Sequence, residues 1–333
     1  MKTIIVAEAG VNHNGKFALA KRMVKVAAKA GADFIKFQTF DPSSLATDSV
    51  PKAAYQKQAT GAHENQKKML EKLCLLKKHY KLLQKECKKN NIGFLSTAFD
   101  SASLEFVESL KPAFHKISSG DIDNISLLRQ AARYGRPILL STGMARIDEI
   151  GRAFKTLLQA GLDRDQIVLL QCHTEYPTRV EEVNLRVMDS FRKKFRTKVG
   201  FSDHTEGITV SLAAAARGAE VIEKHFTLDR MMRGPDYQAS LSPPKLIELV
   251  SGIREIEKAL GDGCKKPSIR EKRIMKQARK YLVSLQPIRS GDKFTPTNLG
   301  VKRSGGGIPA ALFDRYLGKK ANRDYQCDEA IEN

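Results

Sequence analysis

Residues 198–226 read "KVGFSDHTEGITVSLAAAARGAEVIEKHF". The ends of this stretch, "KVGFS" and "EVIEKHF", are short runs of strand length and composition, and the intervening "TVSLAAAARGAE" has the length and apolar content of a helix. A strand, a helix and a second strand make one unit of a parallel sheet. Working outward, the same alternation recurs. Further strand-like runs are "TIIVAE" (3–8), "DFIKFQ" (33–38), "IGFLST" (92–97), "FHKIS" (114–118), "PILLST" (137–142) and "IVLLQC" (167–172), eight in all. Amphipathic stretches lie between most of them, such as "KFALAKRMVKVAAKAG" (16–31), where Gly31 is a helix stop. Eight alternations predict an α/β fold, a (β/α)8 TIM barrel; a doubly wound open sheet carries the same local signature.

Two segments depart from the alternation. From Phe40 to about Leu70 the chain reads "FDPSSLATDSVPKAAYQKQATGAHENQKKML", too long for a simple barrel loop, and is expected to be a lid or substrate loop. After "GIREIEKALGDG" a basic linker, "CKKPSIREKRIMKQARK", precedes a piece with short strands and turn signals such as "RSGD". The expected organisation is a catalytic barrel over 1–262, a linker over 263–279 and a small, mostly β domain over 280–333.

The chain has 333 residues, 41% hydrophobic, and carries a formal charge of +20. No run approaches the ~18 apolar residues of a membrane span, and Glu8 interrupts the N-terminal run before a secretory segment develops, so a cytoplasmic protein without a membrane partner is expected. Five cysteines form no CxxC pair, which argues for reduced thiols and against structural zinc. Cys172 reads as a small buried hydrophobe. Much of the lysine falls in 67–90 at helical spacing, the pattern of a solvated helix face. Without an aromatic RNA-binding signature, nucleic acid is not an expected partner; the charge suits anionic small molecules.

In a barrel, side chains at the C-terminal strand ends converge however far apart they lie in sequence. Those ends carry Glu8; Lys36 and Gln38; Ser96 and Thr97; Lys116, Ser119 and Asp121; Ser141; Thr174 and Tyr176; Ser202 and His204; and His225. Two lysines among hydroxyls suit a small, highly charged anion, since ammonium groups neutralise it and hydroxyls direct hydrogen bonds to its oxygens. Phosphate plus carboxylate is the natural candidate. His204 and His225, on adjacent expected strands, are placed to share one divalent ion with positions left open. A lone imidazole at a strand end is more often simply packed, and Glu223 serves equally as a site or an ion-pair residue.

"AEAGVNHNG", "FIKFQTF", "LSTAFD", "ILLSTGM", "TEYPT", "GFSDHTEG" and "VIEKHFTLDRMMRGPD" closely resemble the bacterial sialic acid synthases, which make N-acetylneuraminate or N,N'-diacetyllegionaminate from phosphoenolpyruvate. The C-terminal piece, with "KRSGGGI" at 302–308, is similar to the SAF (antifreeze-like) domain of that family. The resemblance implies condensation of phosphoenolpyruvate with N-acetylmannosamine and water to N-acetylneuraminate and phosphate; the alternative acceptor is 2,4-diacetamido-2,4,6-trideoxymannose. It implies that Lys36, Thr97, Lys116, Ser119, Ser141 and Ser202 hold phosphoenolpyruvate, and that Gln38, Asp121, Tyr176, Asp236 and Arg303 face the sugar. It further implies Glu8 as the acid–base residue and His204 and His225 as ligands of a divalent metal: manganese, with magnesium or cobalt as alternatives. A domain-swapped homodimer, with Arg303 supplied in trans, completes the implied enzyme.

Three stretches depart from the family pattern. "KISSGD" stands where KIPSGE or KIGSGE is usual, so Asp121 offers its carboxylate one methylene short; "LLQCHTEYP" has Gln171 and His173 where His and Asn are frequent; and "KRSGGG" lacks the proline after Arg303. Two other readings compete: a Schiff-base aldolase using Lys36 or Lys116, and a basic nucleic-acid-binding barrel.

Overall fold

The computed structural model describes residues 2–53, 56–57, 60–61, 63–232 and 234–333. The chain divides into two compact units, Met1–Gly261 and Asp262–Asn333.

The first unit is a closed barrel of eight parallel strands in sequence order: β1 (Ile4–Gly10), β2 (Phe34–Thr39), β3 (Gly93–Ala98), β4 (His115–Ile117), β5 (Ile138–Ser141), β6 (Ile167–Cys172), β7 (Lys198–Asp203) and β8 (Val221–His225). Closure comes from β1 pairing with both β2 and β8, with Glu8 opposite Lys36 on one side and His225 on the other. This decides for the barrel over the open sheet. Helices follow the strands; Phe17–Ala30 stops at Gly31, whose φ of 82° is left-handed and whose N–H returns to Ala27 and Ala28. Helix Thr209–Ala216 links β7 to β8, as the alternation in 198–226 predicts.

Strand side chains alternate, and in a closed barrel one set points inward. At the floor this set is apolar: Val6, Leu95, Leu139, Val168, Leu170 and Val221 form one cluster, distinct from the larger core between strands and helices. Two residues further along β1, β2, β7 and β8 the inward positions are Glu8, Lys36, Ser202 and Glu223. The barrel is thus an apolar plug carrying a polar layer.

The lysine-rich stretch is two helices, Gln66–Glu71 and Lys77–Lys89, rather than one. The reason lies between them: Leu73 packs with Val11 and Met69, whereas Leu75 joins the main core, and one straight helix does not serve both. Lys77, Lys78, Lys81, Lys85, Lys88 and Lys89 are exposed, the solvated face read from the sequence. Part of the expected lid (Ala54, Tyr55, Gln58, Ala59 and Ala62) lies outside the described residues.

The second unit contains helix Ile269–Ala278 within the stretch expected as linker, then an antiparallel pair, β9 (Tyr281–Ser284) and β10 (Leu299–Lys302), with isolated bridges such as Ile288 to Tyr325. Its own core includes Leu282, Phe294, Leu299, Ile308, Tyr325 and Ile331.

Candidate active site

A cavity of about 480 Å³ opens at the C-terminal ends of the strands, in the size range of small-molecule sites. Of the expected site residues, Glu8, Lys36, Gln38, Thr97, Lys116, Ser119, Asp121, Ser141, Tyr176, Ser202, His204, His225 and Asp236 all line it. Arg303 follows β10 in the second unit and is exposed.

Four charged groups form the floor of the cavity. Lys36 Nζ donates to Thr97 Oγ1 at 2.8 Å and lies 2.9 Å from Glu8 Oε2 and 3.6 Å from Glu223 Oε2. One ammonium thus pairs with both carboxylates at once. Lys116 Nζ lies 3.8 Å from Glu223 Oε1, which accepts from Ser202 Oγ at 3.0 Å. All four are buried. Burial opposes every charge in the group, but the outcomes differ. Glu8 is pushed up to about 7 by burial, against the pull of Lys36, and so holds a proton near neutrality. For Glu223, burial is outweighed by Lys116 and Lys36, and the carboxyl falls below its ordinary range. Lys36 is raised, because Glu223 and Glu8 overcome burial; Lys116 is lowered by burial in spite of Glu223. When Glu8 takes up its proton, two ammonium groups face one carboxylate, a net positive cradle.

Hydroxyls and a bare backbone complete this end of the site. Ser119 Oγ accepts from the Gly143 N–H at 3.0 Å, and a Cβ at residue 143 would fall 2.9 Å from that oxygen, so glycine lets the two segments close. Ser141 Oγ is buried with no partner among the described residues, a donor with nothing of the protein to receive it. Toward the mouth, Gln38 Nε2 donates to Glu8 Oε1 at 3.3 Å. Asp121, on a short 3₁₀ turn after β4, accepts from Ser118 Oγ at 2.6 Å, and burial raises its pKa. Asp236 is buried and pushed up to about 6.

The rings of His204 and His225 lie 5.6 Å apart, centre to centre, with Tyr176 against both, at 4.0 and 5.6 Å. His204 Nδ1 meets the His173 carbonyl at 2.5 Å; a carbonyl only accepts, so Nδ1 carries the hydrogen and Nε2 is the nitrogen left for an ion. Against the effect of burial, Cys172 and that carbonyl hold the His204 pKa above its ordinary value. His225 is held neutral by burial and by the neighbouring cations, and its Nδ1 has no partner among the described residues. A Cβ on Gly10 would come within 3.2 Å of the His225 ring and 3.4 Å of both Glu8 Oε1 and Gln38 Nε2; its absence keeps the space among them open. Two imidazoles whose centres lie within roughly 6 Å, given metal–nitrogen bonds of about 2 Å, fit a shared divalent ion, which would displace any proton from the nitrogens it takes. A separate half-exposed group, His173, Glu175 and Glu182, has ligand atoms within 4.8 Å of one another.

Two residues emerge beyond the expected set. Glu223, open to either role in the sequence, joins both lysines; its signal was its position two residues before His225, in the same inward phase. Cys172 is buried but also lines the cavity, with Sγ 3.7 Å from Ser119 Oγ and 3.8 Å from His204 Nδ1. An apolar run hides such a role, because the strand's last inward position looks like the others. Gln56 and Gln66 of the long loop line the cavity as well.

Known proteins resemble this chain along its whole length. The N,N'-diacetyllegionaminic acid synthase of Campylobacter jejuni is 47% identical over 330 residues, covering 99% of both chains. The human N-acetylneuraminate-9-phosphate synthase is 34% identical, across 98% of this chain and 90% of its own length. Among solved structures, the N-acetylneuraminic acid synthetase of Leptospira borgpetersenii superposes with a TM-score of 0.72 at 34% identity, over 83% of this chain and 90% of that one. The NeuB family profile matches residues 23–265, which include every barrel residue of the site except Glu8, and the chain belongs to the NeuB family.

Proposed function

We propose that the protein is a phosphoenolpyruvate-dependent N,N'-diacetyllegionaminic acid synthase. The observation that carries the chemistry is the buried Lys36–Glu223–Lys116 cradle with Glu8 beside it at the barrel mouth. The choice of sugar rests on the 47% identity across the full chain to a synthase of that product. N-acetylneuraminate synthesis is the second reading, favoured by the 34% likeness to enzymes of that name.

The methylene carbon of phosphoenolpyruvate bonds to the aldehyde carbon of the open-chain sugar. Water adds to the former enol carbon, and the tetrahedral intermediate breaks its carbon–oxygen bond to expel phosphate. Lys36 and Lys116 neutralise the phosphate and carboxylate, Ser119, Ser141, Ser202 and Thr97 direct hydrogen bonds to their oxygens, and burial strengthens each interaction by excluding water. Glu8, a carboxyl beside Lys36 and His225 whose pKa burial raises to about 7, exchanges a proton near neutral pH and is the group best placed to deliver it to the oxygen that becomes a hydroxyl. Gln38, Asp121, Tyr176 and Asp236 line the sugar end, and Arg303 of a second copy reaches the same end in a homodimer. His204 and His225 would hold a divalent ion, manganese first, which would supply Lewis-acid polarisation of the aldehyde.

The test is phosphate release from phosphoenolpyruvate, with manganese present, given either 2,4-diacetamido-2,4,6-trideoxymannose or N-acetylmannosamine. Release with the first sugar at a higher kcat/KM is expected. A preference for N-acetylmannosamine establishes the second reading, and no release with either sugar overturns both.

A further inference from the structure

Glu223 and His225 point into the barrel; Lys224 between them points outward, and so does Asp203 beside His204. These two outward residues are register partners across β7 and β8. Lys224 Nζ lies 3.1 Å from Asp203 Oδ2 and donates to the Thr205 carbonyl at 2.5 Å. Asp203 Oδ1 accepts from both the N–H and the hydroxyl of Thr205, each at 2.8 Å, and Oδ2 accepts from Ser211 Oγ of helix Thr209–Ala216 at 2.5 Å. The side chains of Lys224 and Asp203 are 1% and 0% exposed. An ion pair this deep is not explained by stability, because desolvation offsets its attraction and apolar residues of similar size serve a core as well. What it supplies is geometry.

Thr205 is held on both sides, by Asp203 at its N–H and hydroxyl and by Lys224 at its carbonyl. The chain at 203–205 therefore has one conformation, with His204 at its centre. The same ammonium ties β8 to that turn one residue before His225, so His225 cannot slide along β7 without breaking the network. We infer that the buried Asp203–Lys224 pair, on the far side of the strands from the cavity, is a positioning device that sets the placement of the His204 ring relative to the His225 ring. The inference deepens the reading of that site: both residues act through the imidazoles and touch no substrate.

The test uses the full-length chain with the double substitution Asp203→Leu/Lys224→Met, which removes both charges and leaves none stranded, and with Ser211→Ala, which removes one bond to Asp203 and keeps the pair. Three quantities are measured: thermal midpoint, the separation of the two rings in a crystal structure, and the Kd of manganese by titration calorimetry. For the double variant, which takes these partners from the buried Thr205 and Ser211 groups, a lowered midpoint is expected, with rings displaced from their 5.6 Å separation and manganese bound about 10- to 100-fold more weakly; Ser211→Ala should weaken it several-fold. Parental ring separation and manganese affinity in the double variant overturn the inference and leave the pair a fold-supporting contact. Should the double variant not fold, unchanged rings and affinity in Ser211→Ala overturn it. If the parent chain binds no manganese, the metal reading fails by itself, and the ring separation still decides the positioning role.

Discussion

Lys116 shows what a single residue contributes at this site. Its ammonium is buried, lies 3.8 Å from Glu223 and donates to the Ile117 carbonyl at 3.2 Å, so the Lys116→Met substitution leaves an apolar stem in a cradle built for an anion. Removing one member of a buried charged set costs about 3–5 kcal/mol, and here the loss should appear as a fall in kcat/KM for phosphoenolpyruvate of roughly 10²- to 10⁴-fold. Steady-state kinetics measure it, and a loss below tenfold contradicts the assignment. The lowered pKa of Lys116 also suits a Schiff base, but the proposed chemistry forms none, so borohydride with pyruvate should leave the mass of the protein unchanged.

His13 carries a second residue-scale prediction. It is buried, its Nδ1 accepts from the Gly15 N–H at 3.1 Å, and burial lowers its pKa from 6.5 to about 4. Between those values the unfolded chain takes up a proton that the folded chain refuses. The stability associated with a neutral His13 is therefore complete above pH 6.5 and is lost as pH falls toward 4, by about 3 kcal/mol in all. His13→Asn keeps an acceptor for Gly15 and does not titrate. Urea unfolding at pH 7 and pH 4.5 should show the parent losing more stability on acidification than the variant; equal losses contradict this.

At the scale of elements, Gly200 tests the layered barrel. It occupies an inward position on β7, level with the apolar floor, and a Cβ there would meet the Val221 carbonyl oxygen at 2.5 Å and Leu170 Cδ2 at 2.6 Å. One of those neighbours is backbone of β8 and cannot turn aside, so Gly200→Ala forces β7 away from the strand that carries Glu223 and His225. Overpacking of this kind costs about 1–3 kcal/mol, measurable as a lowered urea midpoint with unchanged slope. The strands themselves were legible in the sequence because each is short, β-branched and followed by a helix pattern, and the site followed because strand ends converge in a barrel. The inward phase beyond those ends was harder to read: Glu223 and Cys172 sit in runs that are apolar or charged throughout, where period two leaves no visible alternation. The broken helix at 72–76 was hidden for another reason. Its cause is the destination of Leu73 and Leu75, two different cores, and destination is a tertiary fact.

For the whole molecule, the question is what Asp262–Asn333 contributes to a chain whose cavity is lined by residues of Met1–Gly261. The proposed answer is that Arg303 acts on the sugar bound to a second copy, and complementation between inactive chains tests it. Lys116→Met damages a barrel and leaves Arg303 intact; Arg303→Ala does the reverse. If Arg303 works across a two-fold interface, a heterodimer of the two variants has one site with a sound barrel and a sound arginine and one site with neither. Random re-association of equal amounts makes about half of the dimers heterodimers, so activity should recover to about a quarter of the parent value. Recovery requires exchange of subunits, which a tagged parent chain mixed with untagged chain monitors independently. Exchange without recovered activity places the action of Arg303 within its own chain or nowhere, and the second unit then needs another role.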